Sequence, residues 1–457
     1  MADQFGGISI SSLKSWDKDF KADSTTQLAS RILTNADPDE ILVDRNSLLK
    51  NYSNVFSNKI KVEGSPITNQ KSSGRCWLFA ATNILRIPLI TKYNLKEFQL
   101  SPTYIFFYDK LEKSNFFLQQ IISTYKEPVD SRLVQHLLSD PVSDGGQFDM
   151  FINVIKKYGI VPNTIFPDTF SSTASRKLNS LITTKLREFA EILRGNLEKD
   201  LSVEELVIDM QKDIYRLLTL FLGTPPKPND EFTWEFYDKD SNYSGLTFTP
   251  LSFFNDIINK EFNITDSISL LNDPRNPYEN MIKIDRLGNV FGSKIVSYLN
   301  LDISILTKVL VDRIKNNKPV FFGSHTPMYM HKKLGVMDIQ LWDYKVIGFK
   351  PKQLKASRLI YHQSLMTHAM VITAVHIDPN TNKPVRYRVE NSWGETTGIK
   401  GYYIMTQEYF EEYCYQIVCD REDIKEYLYL LEKEPIVLPP YDPCGSLAIC
   451  GKTDINL

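Results

Sequence analysis

The 457-residue sequence has no run of about 18 apolar residues, the length a helix needs to cross a bilayer, so no membrane span is expected. Residues 1–7 lack a basic segment followed by an apolar one, and no secretory leader is read there. Cysteine is scarce. Cys76, Cys414, Cys419, Cys444 and Cys450 are odd in number, fit no disulfide framework and include no Cys-x2-Cys pair of the kind that holds zinc. Neither a metal nor another cofactor is expected. A net charge of −2, from 53 basic and 55 acidic side chains, excludes a global attraction for nucleic acid or an anionic membrane. It leaves only a local basic patch to consider. These absences fit a reducing, cytoplasmic setting, where a free thiol survives. Histidine is sparse too: His136, His325, His331, His362, His368 and His376 are the only imidazoles.

What is present is ordinary for a soluble globular chain: 42% hydrophobic and 24% charged residues, at a length that supports a sizeable core. Residues 1–60 are polar, with helix-like pieces at 12–20 and 25–33, and read as an N-terminal arm or wrapping segment. Residues 61–165 form a helical block. It opens with a helix at Cys76 that Pro88 should kink or end. A second helix follows Ser101-Pro102, and the turn at Gly145-Gly146 leads into a third over 148–157. Across 172–222, Leu178, Ile182, Leu186 and Phe189, then Val207, Met210 and Ile214, repeat at helical spacing. Residues 166–319 are therefore read as a mainly helical insertion. Residues 320–434 are β-rich, with strands expected at 320–323, 369–375, 386–390 and 401–405. Residues 435–457 make a proline-punctuated C-terminal arm. The fold class is α+β.

Chemistry concentrates around Cys76, in Gln70-Lys71-Ser72-Ser73-Gly74-Arg75-Cys76-Trp77. A thiolate is the reactive form of cysteine, and a helix N-terminus stabilises negative charge. Gln70 can offer a side-chain N–H to the oxyanion that forms when sulfur attacks a carbonyl. Among the histidines, His368 opens an apolar strand, which holds a base in one position. His376 leaves that strand, His325 and His331 flank a Met-rich loop, and His136 lies on a helix. Asn391, in Asn391-Ser392-Trp393-Gly394, can fix the tautomer of an imidazole through its amide oxygen. Trp393 can cover that bond against water.

Gln70, Cys76-Trp77, His368-Ala369 and Asn391-Ser392-Trp393-Gly394 together resemble the papain-like cysteine peptidases. The separation of Cys76 from His368 far exceeds the roughly 130–150 residues expected for papain and the cathepsins, and the helical insertion accounts for the excess. The run from Thr68 to Ala80, Asp144-Gly145-Gly146-Gln147, Ile284-Asp285-Arg286-Leu287-Gly288-Asn289, Leu334-Gly335-Val336-Met337-Asp338 and Ser364-Leu365-Met366-Thr367-His368-Ala369-Met370 resemble the bleomycin hydrolase family, over about residues 10 to 448. The resemblance implies a papain-like fold and a thiol aminopeptidase acting on peptides. It makes Cys76 the nucleophile, His368 the base and then acid, Asn391 the orienting residue, and Gln70 with the Cys76 backbone N–H the oxyanion donors. Gly145 and Gly146 would face substrate.

The resemblance also implies that the C-terminal arm lies in the cleft, with the terminal carboxylate meeting the substrate's ammonium. Family members generally end near Ala448. Here residues 449–457 continue, so weak aminopeptidase activity is expected of the full chain and more after truncation behind Ala448. Cys444 and Cys450 are read as free tail thiols. A homohexameric ring is implied as well, and some members bind nucleic acid through a basic channel. Seven basic residues from Lys177 to Arg216 are interleaved with eight acidic ones, which favours a solvated helix face. Two other functions remain open at this point. One is a nucleic-acid-binding or regulatory ring whose peptidase site is incidental or plugged by the tail. The other is a transglutaminase-like acyltransferase, although that class orients its histidine with Asp and no calcium loop is seen.

Overall fold

Ser101 is fully buried, and its hydroxyl accepts the amide of Tyr104 at 3.0 Å. With Pro102 in the first turn, it starts the long helix Pro102–Ser123. In this computed structural model, which describes residues 7–449, that helix organises one side of the molecule. It contacts Cys76–Lys92, Phe148–Tyr158, Arg176–Leu197 and Glu204–Leu222. Cys76–Lys92 is buried along almost its whole length, as a helix that is apolar on every side must be.

The other side is a twelve-stranded sheet. From edge to edge it runs through Ile436–Leu438, Asn280–Ile284, Ser297–Asn300, Ile268–Leu271, Cys414–Cys419, Val320–Ser324, His368–Ile377, Pro384–Glu390, Tyr402–Thr406, Val336–Met337 and Met330–His331. The short strand Asn58–Lys59 adds to His368–Ile377. That strand is antiparallel to Val320–Ser324, with His368 opposite Ser324, and to Pro384–Glu390, with Val371 opposite Glu390. Its residues alternate between two cores. Ala369 and Val371 join the helical core, and Met370 and Ile372 join a second core on the opposite face.

Two expectations need correction. The 166–319 segment is mainly helical as far as Leu222, and after it the short helical run 250–266 and the helix Ile303–Lys315 alternate with strands. Those strands are the hairpin Phe232–Tyr237/Tyr243–Phe248 and then Ile268–Leu271, Asn280–Ile284 and Ser297–Asn300, which belong to the large sheet. Ile268–Leu271 is buried on both faces, so it carries no alternation to betray a strand. Of the kink or end expected at Pro88, the end is overturned: the helix at Cys76 runs through Pro88 to Lys92.

The first described residues form four helices, Ile10–Ala22, Ser24–Leu33, Pro38–Ile41 and Arg45–Asn51. The Trp342 indole donates to Asp39 O at 2.8 Å, and backbone bonds join Asp44 to Leu341 and Asp343 to Leu42. Together they tie this segment onto the sheet side. The apolar stripes of Arg176–Leu197 and Glu204–Leu222 pack into the helical core of the chain itself. Among the described residues no helix is long and apolar enough to cross a membrane.

Candidate active site

Cys76 begins its helix, 2% exposed, after a loop held by buried Arg75. The Arg75 guanidinium donates to Ser73 Oγ at 2.9 Å, Thr103 Oγ1 at 3.0 Å and Asp168 at 2.8 Å, and packs over the rings of Phe79 and Phe106. No side chain caps this helix. The electropositive start of the helix therefore lies at the sulfur.

From the sheet side, the strand His368–Ile377 delivers His368 at its first position. His368 Nε2 and Asn391 Oδ1 are 2.8 Å apart. An amide oxygen only accepts, so the imidazole nitrogen donates and the tautomer is set. The Trp393 ring stacks on the imidazole at 4.7 Å between centroids, and both His368 and Asn391 are buried. Gln70 joins the same group. Its backbone amide donates to Ser392 O at 2.8 Å, its Oε1 accepts the Ser392 hydroxyl at 2.7 Å, and its Nε2 donates to Ser73 O at 2.7 Å. The last bond uses one of two amide hydrogens and leaves a second donor. Asn69 pairs with Trp393, and Gly394 N donates to Thr68 O. Gln70 and Asn391 are thus locked to each other across the two sides of the fold.

Gly145 and Gly146 lie on a wall beside the Cys76 helix. A Cβ on Gly146 would fall 2.4 Å from the Trp77 ring, so glycine is required for close packing. The Trp77 indole donates to Asp144 O at 2.8 Å. Two buried lysines hold the turn from beneath. Lys110 Nζ donates to Val142 O at 3.1 Å and pairs with Asp144 at 2.6 Å. Lys113 Nζ donates to Ser143 O at 3.0 Å and Gly145 O at 2.6 Å, and pairs with Asp109 at 2.7 Å. Burial alone would raise the Asp144 carboxyl. The Lys110 ammonium, with bonds from Lys110, Ser175 and the Gly74 amide, outweighs it and holds the group well below the usual carboxylate range.

The C-terminal segment crosses this wall. Arg275 pairs with Asp442 at 2.8 Å, the Tyr298 hydroxyl donates to Cys444 O at 3.1 Å, and the Ser446 hydroxyl donates to Met366 O at 2.9 Å. Leu447 and Ala448 are buried, and a Cβ on Gly145 would meet Leu447 O at 2.2 Å and the Ala448 carbonyl carbon at 2.9 Å. Burial pushes the Cys444 thiol well up, so it stays a thiol. Cys450 and the rest of the expected tail extension lie outside the described residues.

Beside the loop from Asn69 to Gly74 is a cavity of about 810 Å³. It is lined by Gln70, Gly74 and Trp393, by Asp39 from the N-terminal segment, and by His331 and Lys332. No cluster of three or more metal-ligating side chains occurs among the described residues. The other histidines stand elsewhere: His325 is buried near Leu365, and His136 packs beside Tyr441. Sequence reasoning missed Lys110, Lys113, Arg75 and Arg275. Its one available signal was Asp109-Lys110 and Glu112-Lys113 inside an otherwise aromatic helix, since charges there must be paired.

The chain matches the family model described as "Peptidase C1-like family" over residues 7–445. It is 52% identical to "Cysteine proteinase 1, mitochondrial" of Saccharomyces cerevisiae (strain YJM789), covering 96% of this chain and 93% of the relative. It is 41% identical to "Bleomycin hydrolase" of Homo sapiens, covering 92% and 94%. The crystal structure of pepw from Lactobacillus rhamnosis hn001 superposes with a TM-score of 0.92 at 34% identity, covering 97% of this chain and 99% of that one.

Proposed function

The chain belongs to the Peptidase C1-like family and is a cysteine peptidase, and on that premise we propose that it removes N-terminal residues from peptides through a Cys76 thioester. The observation that carries this reading is the 2.8 Å bond between His368 and Asn391 under Trp393, tied through Ser392 to Gln70 in the loop that leads into the Cys76 helix. His368 takes the thiol proton. The sulfur anion attacks the substrate carbonyl, and the oxyanion is held by the second Gln70 Nε2–H and the Cys76 backbone N–H. His368 then protonates the departing amine, and the same imidazole activates water to hydrolyse the thioester. Asn391 keeps the ring in the productive tautomer throughout.

Removal from the end, rather than internal cleavage, is supported by the arm. Leu447 and Ala448 lie against Gly145, so little room remains on the acyl side. Occupancy of that wall restricts the acyl part to a short stub. In the family resemblance the arm's own carboxylate receives the substrate ammonium, and here trimming behind Ala448 would generate one at that place.

An Asn rather than an Asp on His368 disfavours the transglutaminase-like reading. Nothing favours nucleic acid either. Arg187 and Arg194 donate to backbone carbonyls, and Lys185 and Lys212 face Glu188 and Asp209. A homohexamer and a cytoplasmic location stay as expectations from the resemblance and composition, open to measurement of particle mass and of cell fractions. The S. cerevisiae relative is named mitochondrial. The deciding experiment is hydrolysis of amino-acid arylamides by the full chain, by the chain ending at Ala448, and by Cys76→Ser and His368→Ala. Both substitutions should lower the rate by several orders of magnitude in folded protein. Retention of most activity by either one refutes the assignment.

A further inference from the structure

The acyl side of the cleft is closed by Leu447 and Ala448, so the amine product of the proposed reaction must depart through the 810 Å³ cavity next to Gln70 and Trp393. That cavity has a charge pattern. Lys332 Nζ sits 5.1 Å above the Trp393 ring, whose indole in turn stacks on His368. Lys332 is exposed, and the ion pair beside it, between Lys333 and Glu40 at 3.5 Å, does not include it. Arg176 and Lys71 line the same cavity, exposed and likewise outside the ion pairs seen among the described residues. Most of the acidic lining is engaged. Asp144 holds Lys110 at 2.6 Å, Glu40 faces Lys333, and Asp37 accepts the Asp39 amide as the cap of Pro38–Ile41. Asp39 is the remaining carboxylate.

A second donor lies one residue before Lys332. His331 is buried and lines the cavity. Its Nδ1 accepts the Leu334 amide at 3.2 Å, which puts the ring proton on Nε2. That nitrogen has no hydrogen-bond partner among the described residues, and a buried donor is costly to leave unpaired.

On the peptidase reading above, we propose that this cavity is a leaving-group site that recognises a free α-carboxylate. Lys332 is the principal contact and His331 Nε2–H a second donor. The favoured substrate class is short peptides with an unblocked C-terminus, dipeptides foremost. In a dipeptide the carboxylate carbon is only two bonds from the scissile nitrogen. It therefore stays within the cavity that Trp393, Lys332 and His331 line together. Each added residue carries the carboxylate up to about 3.5 Å further away.

The test compares alanyl-alanine with alanyl-alanine amide, reading kcat/KM for each on the full chain and taking the acid-to-amide ratio within each protein. Alanyl arylamide is run beside them. The wild-type ratio should exceed one at low salt, shrink as salt rises, and fall about fivefold in Lys332→Met, the scale of a partly exposed ion pair. It should also fall in His331→Phe, which keeps an aromatic ring against Trp342. A wild-type ratio that ignores salt, or a ratio unchanged in Lys332→Met, overturns the proposal. Arylamide turnover with a flat acid-to-amide ratio overturns this inference alone. Absence of arylamide turnover in both the full chain and the chain ending at Ala448 overturns the peptidase reading beneath it.

Discussion

Gly145→Ala separates the arm from the rest of the machinery. Gly145 does not occupy the left-handed region, so alanine meets no backbone penalty there. The new Cβ instead stands 2.2 Å from Leu447 O and 2.9 Å from the Ala448 carbonyl carbon, where ordinary contact begins at 3.4 Å. The end of the arm must therefore withdraw by about 1 Å or more, since packed backbone does not compress. The contacts upstream are untouched: Arg275 with Asp442, Tyr298 with Cys444 O, and Ser446 with Met366 O. Displacement is then confined to Leu447 and Ala448, and the stability cost stays within the roughly 1–3 kcal/mol typical of overpacking. The assay compares alanyl arylamide with its N-acetylated and N-terminally extended forms. Release of the acyl side should raise the relative kcat/KM of the blocked and extended substrates about tenfold, equivalent to about 1.4 kcal/mol of transition-state binding. Deleting residues 447–457 should move the ratio in the same direction. A folded Gly145→Ala enzyme with the wild-type ratio would refute the view that the arm limits what fits on the acyl side.

Other substitutions test the supports. Asn391→Ala removes the acceptor of a buried imidazole N–H and should lower kcat by about 10- to 100-fold, the value of one such bond, with a smaller change in KM. Arg86→Met strips the partner from Glu390, a pair at 2.8 Å with both side chains 1% exposed, and should cost about 3–5 kcal/mol in urea melts. Burial already raises the Glu390 carboxyl against the pull of Arg86. Without Arg86 the folded value climbs further above the unfolded one, so the loss should be larger at pH 8 than at pH 5, and a pH-independent loss would contradict this. Burial pushes the His325 imidazole down to about 4 from 6.5. The unfolded chain then binds the extra proton between those values, and stability should fall as pH drops through that window, by up to about 3 kcal/mol. Thermal melts of His325→Phe should show a flatter acid limb than the wild type.

The Cys76 helix and the His368 strand were legible because each joins a chemical residue to a long apolar run of one period. The helical stripe from Leu178 to Leu218 was legible as a stripe, but periodicity does not say which surface it meets, and it meets this chain's own core. The strands between Phe232 and Asn300 were missed for a physical reason. They are four to six residues long, some are buried on both faces, and Ile268–Leu271 takes one of its partners, Cys414–Cys419, from far along the chain. Arg75 left no signal as a site support, and Lys110 and Lys113 showed only as charges that must be paired, because no local pattern encodes which carbonyls a loop turns toward them.

Arg86 stands on the same helix as Cys76, the proposed nucleophile, and Glu390 immediately precedes Asn391 on the sheet side of the fold. Their ion pair is a rivet between the element that carries the sulfur and the one that carries the amide. Slippage at that seam would misalign the reacting groups before any of them was itself disturbed. Catalysis and cooperative unfolding should accordingly fail together, with no inactive yet fully native intermediate on the way.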